Sequence, residues 1–231
     1  MLTKNKILML ATMGVIAHIT PASAQTYYQC MACPAGYDCS SGKLNACPSG
    51  YLCFNGKKFL KSSCKKSIFV SFATAKTGNT VLSSGYYEVE VAGAGGGGGG
   101  GVAYGACKCH NGSKGGNGAL NTYSFFIEMD RILNYTVGGG GSGGCSNHGC
   151  DGNPGGESKF SINVTSGNSS GSAAAGGGGR GNKEDQPGSN AGNGNGGTGG
   201  NRGGCSGAPS CNGKGGGNGN SGWITIYKYA C

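Results

Sequence analysis

Of the chain's 231 residues, 53 are glycine, 13 are cysteine and 6 are proline, and the formal charge is +9. So much glycine with so little proline argues against collagen, whose glycine triplets run far longer and carry abundant proline. The cysteine content argues against a reduced cytosolic domain, and no stretch of the sequence is long and apolar enough to span a bilayer comfortably.

In chain order, residues 1–24 read as an export signal. Lys4 and Lys6 form a basic start, Ile7 to Ile19 an apolar stretch, and Ala22-Ser23-Ala24 a small-residue cleavage site. Cleavage is expected after Ala24, giving a secreted, periplasmic or surface-held protein with no transmembrane segment in its mature part. All 13 cysteines lie beyond that point, from Cys30 to Cys231, which predicts a disulfide framework. An odd total leaves at least one thiol free, shared with another chain or otherwise bound.

Residues 25–66 form a small cysteine-rich module. Cys33-Pro34-Ala35-Gly36-Tyr37-Asp38-Cys39 matches Cys47-Pro48-Ser49-Gly50-Tyr51-Leu52-Cys53. Proline fixes φ at a turn, glycine permits a positive φ, and tyrosine covers the disulfides. Six cysteines (Cys30, Cys33, Cys39, Cys47, Cys53 and Cys64) suit three bridges in any of 15 pairings. Residues 25–80 hold seven lysines against Asp38, whereas residues 81–231 hold nine basic and eight acidic groups. The positive charge therefore belongs to the front. Lys57, Lys58, Lys61, Lys65 and Lys66 are expected to meet an anionic envelope surface or glycan, the plainer alternative being a solvated loop face.

Residues 67–231 form the second domain. Strands are predicted at 67–72, 86–91, 123–128, 133–137, 160–164 and 223–229, with Tyr87, Val89 and Val91 on one face and Glu88 and Glu90 on the other. Between them lies glycine with a kept phase. Seven run unbroken from Gly95 to Gly101, and every third residue is glycine over Gly112–Gly118, Gly138–Gly144, Gly194–Gly203 and Gly213–Gly222. Three residues is the repeat of the polyproline II helix. The expected fold is therefore all-β or irregular: short strands framing a bundle of packed polyproline II-type glycine helices, with no helix after the signal. The alternative is a disordered low-complexity region.

Ordering a backbone costs about 1–2 kcal/mol per residue, so the glycine stretches need cross-links. Cys107, Cys109, Cys145, Cys150, Cys205 and Cys211 lie inside them and are the bridge candidates. Cys231 is the candidate free or intermolecular thiol.

Two resemblances sharpen this. The Cys-Pro-x-Gly-Tyr-x-Cys repeat resembles ephrin-receptor-like and tumour-necrosis-factor-receptor-like modules. The junction from Gly85 through Tyr86-Tyr87-Glu88-Val89-Glu90-Val91 to Gly95, with the closing Gly213 to Ile226, resembles glycine-rich domains of bacteriophage tail-fibre adhesins and related bacterial surface proteins. Similar packing occurs in the anaplastic lymphoma kinase family. The resemblance implies a stiff polyglycine sandwich that presents loops to a receptor.

Chemistry-bearing motifs are few. Cys107, Cys109 and His110 form one cluster, and Cys145, His148 and Cys150 another. Their spacing fits no standard zinc module, so a disulfide beside a loop histidine is the reading taken, and no metal or cofactor is expected. There is no nucleophile elbow, carboxylate pair or phosphate loop, so no enzyme activity is expected, and no nucleic-acid partner. Asn-x-Ser/Thr occurs at Asn111, Asn134, Asn163 and Asn168. The expected function is that of an adhesin-like surface protein recognising a glycan or a cell-surface protein through the loops at 104–114 and 143–154. Tyr104, Lys108, His110, Lys114 and His148 are the candidate contacts. The alternatives are an envelope or matrix component cross-linked through cysteines and, more remotely, an ice-binding protein.

Overall fold

A computed structural model of the chain describes residues 37–39, 45–54, 57–104, 108–146, 148–181, 187–192, 196–206 and 212–231. The expected signal and Cys30, Cys33, Cys107 and Cys211 lie outside them. The fold is all-β: among the described residues there is no α-helix, and one 3-10 turn spans Lys61–Ser63. The chain divides into two compact units between Ser63 and Cys64.

The first unit has two antiparallel hairpins. β1 (Tyr37–Asp38) pairs with β2 (Asn45–Ala46), and β3 (Tyr51–Phe54) with β4 (Lys57–Leu60). The second copy of the repeat builds the turn into β3. The Tyr51 amide donates to the Pro48 carbonyl at 3.1 Å, and Gly50 takes φ +82°. That is the third position of a four-residue turn, where a positive φ favours glycine. Cys47 and Cys53 are bridged across this turn, and Cys39 is also disulfide-bonded.

The second unit begins with nine strands in two sheets. β5 (Lys65–Phe72), β6 (Lys76–Leu82), β7 (Gly85–Ala92), β10 (Leu120–Ile127), β11 (Arg131–Val137), β12 (Ser158–Ile162), β13 (Ser166–Gly167), β14 (Ser170–Ala173) and β17 (Trp223–Ala230) supply them. One sheet has the order β13-β10-β7-β17-β5 and the other β14-β12-β11-β6, every pairing antiparallel. Two short hairpins complete the unit: β8 (Val102–Tyr104) with β9 (Lys108–His110), and β15 (Cys205–Ser206) with β16 (Asn212–Gly213).

The sheets face each other over a core fed by the alternation in their strands. Tyr87, Val89, Val91, Phe125, Ile127, Ile224 and Ile226 meet Leu82, Leu133, Tyr135, Val137, Phe160 and Ile162, all buried. Each such side chain contributes roughly 1.5–3 kcal/mol on burial. Phe72 stacks on Tyr135 at 3.9 Å between ring centroids.

Every glycine stretch leaves the sheets from the same end, where β7, β11 and β14 finish and β10, β12 and β17 begin. Residues 93–101 run up the centre, and their amides rotate through three neighbours with a period of three. Gly93, Gly96 and Gly99 donate to Ala119, Gly116 and Ser113; Ala94, Gly97 and Gly100 to Gly156, Asn153 and Cys150; Gly95, Gly98 and Gly101 to Asn220, Gly217 and Lys214, all at 2.8–3.1 Å. Their carbonyls rotate through three more. Gly197, Gly200 and Gly203 donate to Gly93, Gly96 and Gly99; Gly176 and Gly179 to Ala94 and Gly97; Gly141 and Gly144 to Gly95 and Gly98.

Six segments therefore ring the central one. Bonds between the ring members fix their order as 112–119, 174–181, 150–156, 138–144, 214–222 and 196–204, alternately antiparallel and parallel to the centre. This explains the glycine pattern. A Cβ at Gly112, Gly115 or Gly118 would overlap the carbonyls of Gly99, Gly96 and Gly93, and one at Gly213, Gly216 or Gly219 those of Gly101, Gly98 and Gly95. A peripheral segment turns one residue in three toward the centre and needs glycine there. The central segment has neighbours on all sides, so Gly95 to Gly101 have no face left for a side chain.

Candidate functional site

The strand ends fix two poles of the second unit. At one, Cys64 and Cys231 are bridged one step beyond the Lys65–Ala230 pair of β5 and β17, closing a sequence separation of 167 residues. This corrects two expectations: Cys231 is neither free nor intermolecular, and Cys64 does not pair within the front module. Antiparallel pairing of the first and last strands brings the two ends together, a neighbourhood that cysteine spacing alone does not show.

The segments expected to bind run from the opposite pole into the bundle: 112–114, 143–144 and 150–154 belong to its ring, with Asn153 accepting from Gly97 and Cys150 from Gly100. Tyr104 and Lys108 are register partners in the β8–β9 hairpin, where His110 pairs with Val102. Lys114 is exposed beside Ser113, the acceptor for the Gly99 amide. His148 is exposed within the ring closed by the Cys145–Cys150 disulfide. The β15–β16 hairpin carries Cys205 to the same end. Asp151 accepts from the Gly181 amide at 2.7 Å and pairs with Arg180 at 2.9 Å. The topology thus brings the β8–β9 hairpin and the Cys145–Cys150 ring to one end. Arg180, Arg202 and Lys214, exposed on neighbouring segments there, were not singled out in the sequence; basic residues interrupting glycine triplets were the signal.

The five front lysines divide between the units. Lys57, Lys58 and Lys61 belong to the first, where Lys58 pairs with Asp38 at 3.0 Å and lies 5.3 Å from the Tyr51 ring centroid. Lys65 and Lys66 belong to β5. Lys66 is not presented to an external anion: it reaches across β17 to Glu88 at 2.6 Å and Glu90 at 3.6 Å, 3.8 Å from the Tyr227 ring centroid. Tyr227 donates to Glu90 at 3.0 Å and Tyr229 to Glu88 at 3.1 Å. Burial pulls the Lys66 ammonium down, but the hydrogen bond and charge of Glu88, with Tyr229 and Glu90, outweigh it and hold it above its ordinary value. Burial first, then the bond to Glu90, raises the Tyr227 phenol. The cluster ties β5 to β7 over the intervening β17.

The outer face of the four-stranded sheet is shallow, with depressions lined by Thr77, Asn134, Thr136, Lys159 and Ser161 and by Ile132 and Ser170, and the register partners Val81 and Ile132 are both exposed on it. Among the described residues, no group of three or more His, Cys, Asp or Glu is placed to hold a metal ion, and no helix is long and apolar enough to cross a membrane.

The family model described as glycine-rich domain matches residues 74–229, more than half of the chain. The chain belongs to this family. No curated protein matches it. The matched span of the glycine-rich domain starts just before β6 and ends within β17, so it takes in the whole bundle and the distal hairpins, and leaves out the cysteine-rich unit.

Proposed function

We propose that the chain is an exported, non-enzymatic, adhesin-like surface protein whose glycine-rich scaffold displays the distal loops to a carbohydrate or protein partner. The supporting observation is polarity. The chain enters and leaves the second unit at the Cys64–Cys231 pole, and all segments of the bundle lead away from it. If the nine residues Gly93–Gly101 rise as a polyproline II-type helix, at about 3.1 Å each, the tip stands roughly 28 Å beyond the sheets. A stiff scaffold carrying loops at its end is the general arrangement of recognition proteins. Residues 1–24 serve as the signal.

Binding of the oxidised full chain to whole cells or to a glycan array tests this reading. Replacing 104–111 and 146–149 together by Gly/Ser sequence, which spares the ring segments, Lys114 and the Cys145–Cys150 bridge, is expected to abolish it; undiminished binding would refute display by these loops. Cross-linking through Cys231 loses ground because that thiol is taken up by Cys64.

A further inference from the structure

The order of the ring places four exposed cations on four consecutive segments near the distal pole. Lys214 lies on 214–222, Arg202 on 196–204, Lys114 on 112–119 and Arg180 on 174–181. Direct bonds join each pair of neighbours at this level. The Lys214 amide donates to Gly204 at 2.7 Å and Gly217 to Asn201 at 2.8 Å, either side of Arg202. Gly112 donates to Gly203 at 3.0 Å and Gly115 to Gly200 at 3.1 Å, either side of Lys114. The Ser113 amide donates to Arg180 at 2.9 Å. Hydrogen-bonded extended chains lie about 4.8 Å apart, so three steps make an arc roughly 15 Å long. Within the arc, Arg180 pairs with Asp151 at 2.9 Å.

Resting on the display reading above, the geometry points to this arc as a binding site for an extended anionic polysaccharide, one bearing carboxylate or sulfate groups. A row of exposed, long cationic side chains, bordered at Lys114 by segment 187–192 whose Gly188 amide donates to the Lys114 carbonyl at 2.8 Å, suits a linear polyanion that lies along it; a small anion would need a concave cradle. A nucleic acid would use aromatic stacking platforms, and none of the four segments carries an aromatic residue. An anionic membrane would favour apolar anchors beside the charge. Among the described residues, the exposed large apolar side chains are Tyr37, Tyr51, Leu60, Ile68, Phe69, Val81, Met129 and Ile132, none of them in the bundle. The arc also differs from the front lysine run, since it is formed by residues as far as 100 positions apart in sequence, Lys114 and Lys214.

Binding of the oxidised full chain to labelled dextran sulfate, polygalacturonate, neutral dextran, single-stranded DNA and phosphatidylglycerol vesicles is measured from 50 to 300 mM NaCl. The arc predicts tightest binding to one of the two anionic polysaccharides, none to dextran, and affinity that falls with salt. The Lys114→Gln/Arg202→Gln/Lys214→Gln variant loses about 10-fold or more, and its log–log salt slope shrinks by about one per cation removed. Lys114→Arg/Lys214→Arg retains binding, as does Lys57→Gln/Lys58→Gln/Lys61→Gln. Wild-type affinity and slope in the arc variant, no binding to either polysaccharide, or tighter binding to DNA or vesicles would each overturn the assignment. Failure here with cell binding still lost on loop replacement leaves the display reading standing; the reverse removes that reading alone.

Discussion

Replacing Gly97 by alanine puts one methyl group where the bundle has no space. The new Cβ would overlap the Ser142 carbonyl of the 138–144 segment, leaving that segment to retreat or the centre to twist. The two are held together by the bonds from Gly141 to Gly95 at 2.9 Å and from Gly144 to Gly98 at 2.8 Å, directly on either side of the insertion. Overpacking costs about 1–3 kcal/mol, and each buried group left unpaired about 1–3 kcal/mol more. Losing even one of the two bonds brings the total to roughly 2–6 kcal/mol, a large share of an ordinary domain's 5–15 kcal/mol. Gly139→Ala, in the 138–144 segment that Gly97 faces, is the control, because its Cβ meets Ala75 Cβ at 3.5 Å and nothing closer. It is expected to be neutral or to stabilise by up to about 1 kcal/mol through the unfolded chain. Urea unfolding of both variants, oxidised and followed by circular dichroism, decides the matter. Equal midpoints for Gly97→Ala and Gly139→Ala would refute the close-packed bundle.

Two bridges among the described residues of the second unit are expected to differ in weight. With a separation of 167 residues, Cys64–Cys231 contributes about 5 kcal/mol in the chain-entropy model, against about 2 kcal/mol for Cys145–Cys150, separated by 5. Urea midpoints of Cys64→Ala/Cys231→Ala and Cys145→Ala/Cys150→Ala should fall in that order, and the reverse order would contradict it. The Lys66 cluster predicts a loss of stability at alkaline pH. Both Lys66 and Tyr227 have raised values in the folded chain, so their contribution is complete below the unfolded values, about 10.4 and 10, and is lost as pH rises through the folded ones. The urea midpoint should hold from pH 7 to 9.5 and drop above 10, with a smaller drop in Lys66→Gln; identical profiles would remove the cluster from the account.

The strands with clean alternation were legible in the sequence. Tyr87, Val89 and Val91 face the core, as the period of two requires, and β17 follows the last glycine triplet. β6 escaped because Lys76-Thr77-Gly78-Asn79 lacks both alternation and β-propensity. Pairing with β11 makes it a strand, and Gly78 makes room for the Tyr135 ring. β14, Ser170-Gly171-Ser172-Ala173, escaped for the same reason. Alternation put Glu88 and Glu90 on the outer face, but not Lys66 beside them, because strand order is a tertiary property. The glycine phase likewise marks which residues of a segment meet a neighbour without saying which neighbour. The arc from Lys214 to Arg180 and the Cys64–Cys231 bridge both depend on that missing order.

The central claim is that Gly93–Gly101 is the hydrogen-bonded axis of a packed bundle. Native-state amide hydrogen exchange on these nine residues, followed by NMR, tests it most directly. The account predicts protection at every position, with opening free energies close to that of global unfolding and no slow–fast alternation of the kind a half-exposed strand would give. Exchange at the rates of an unstructured glycine peptide would contradict it.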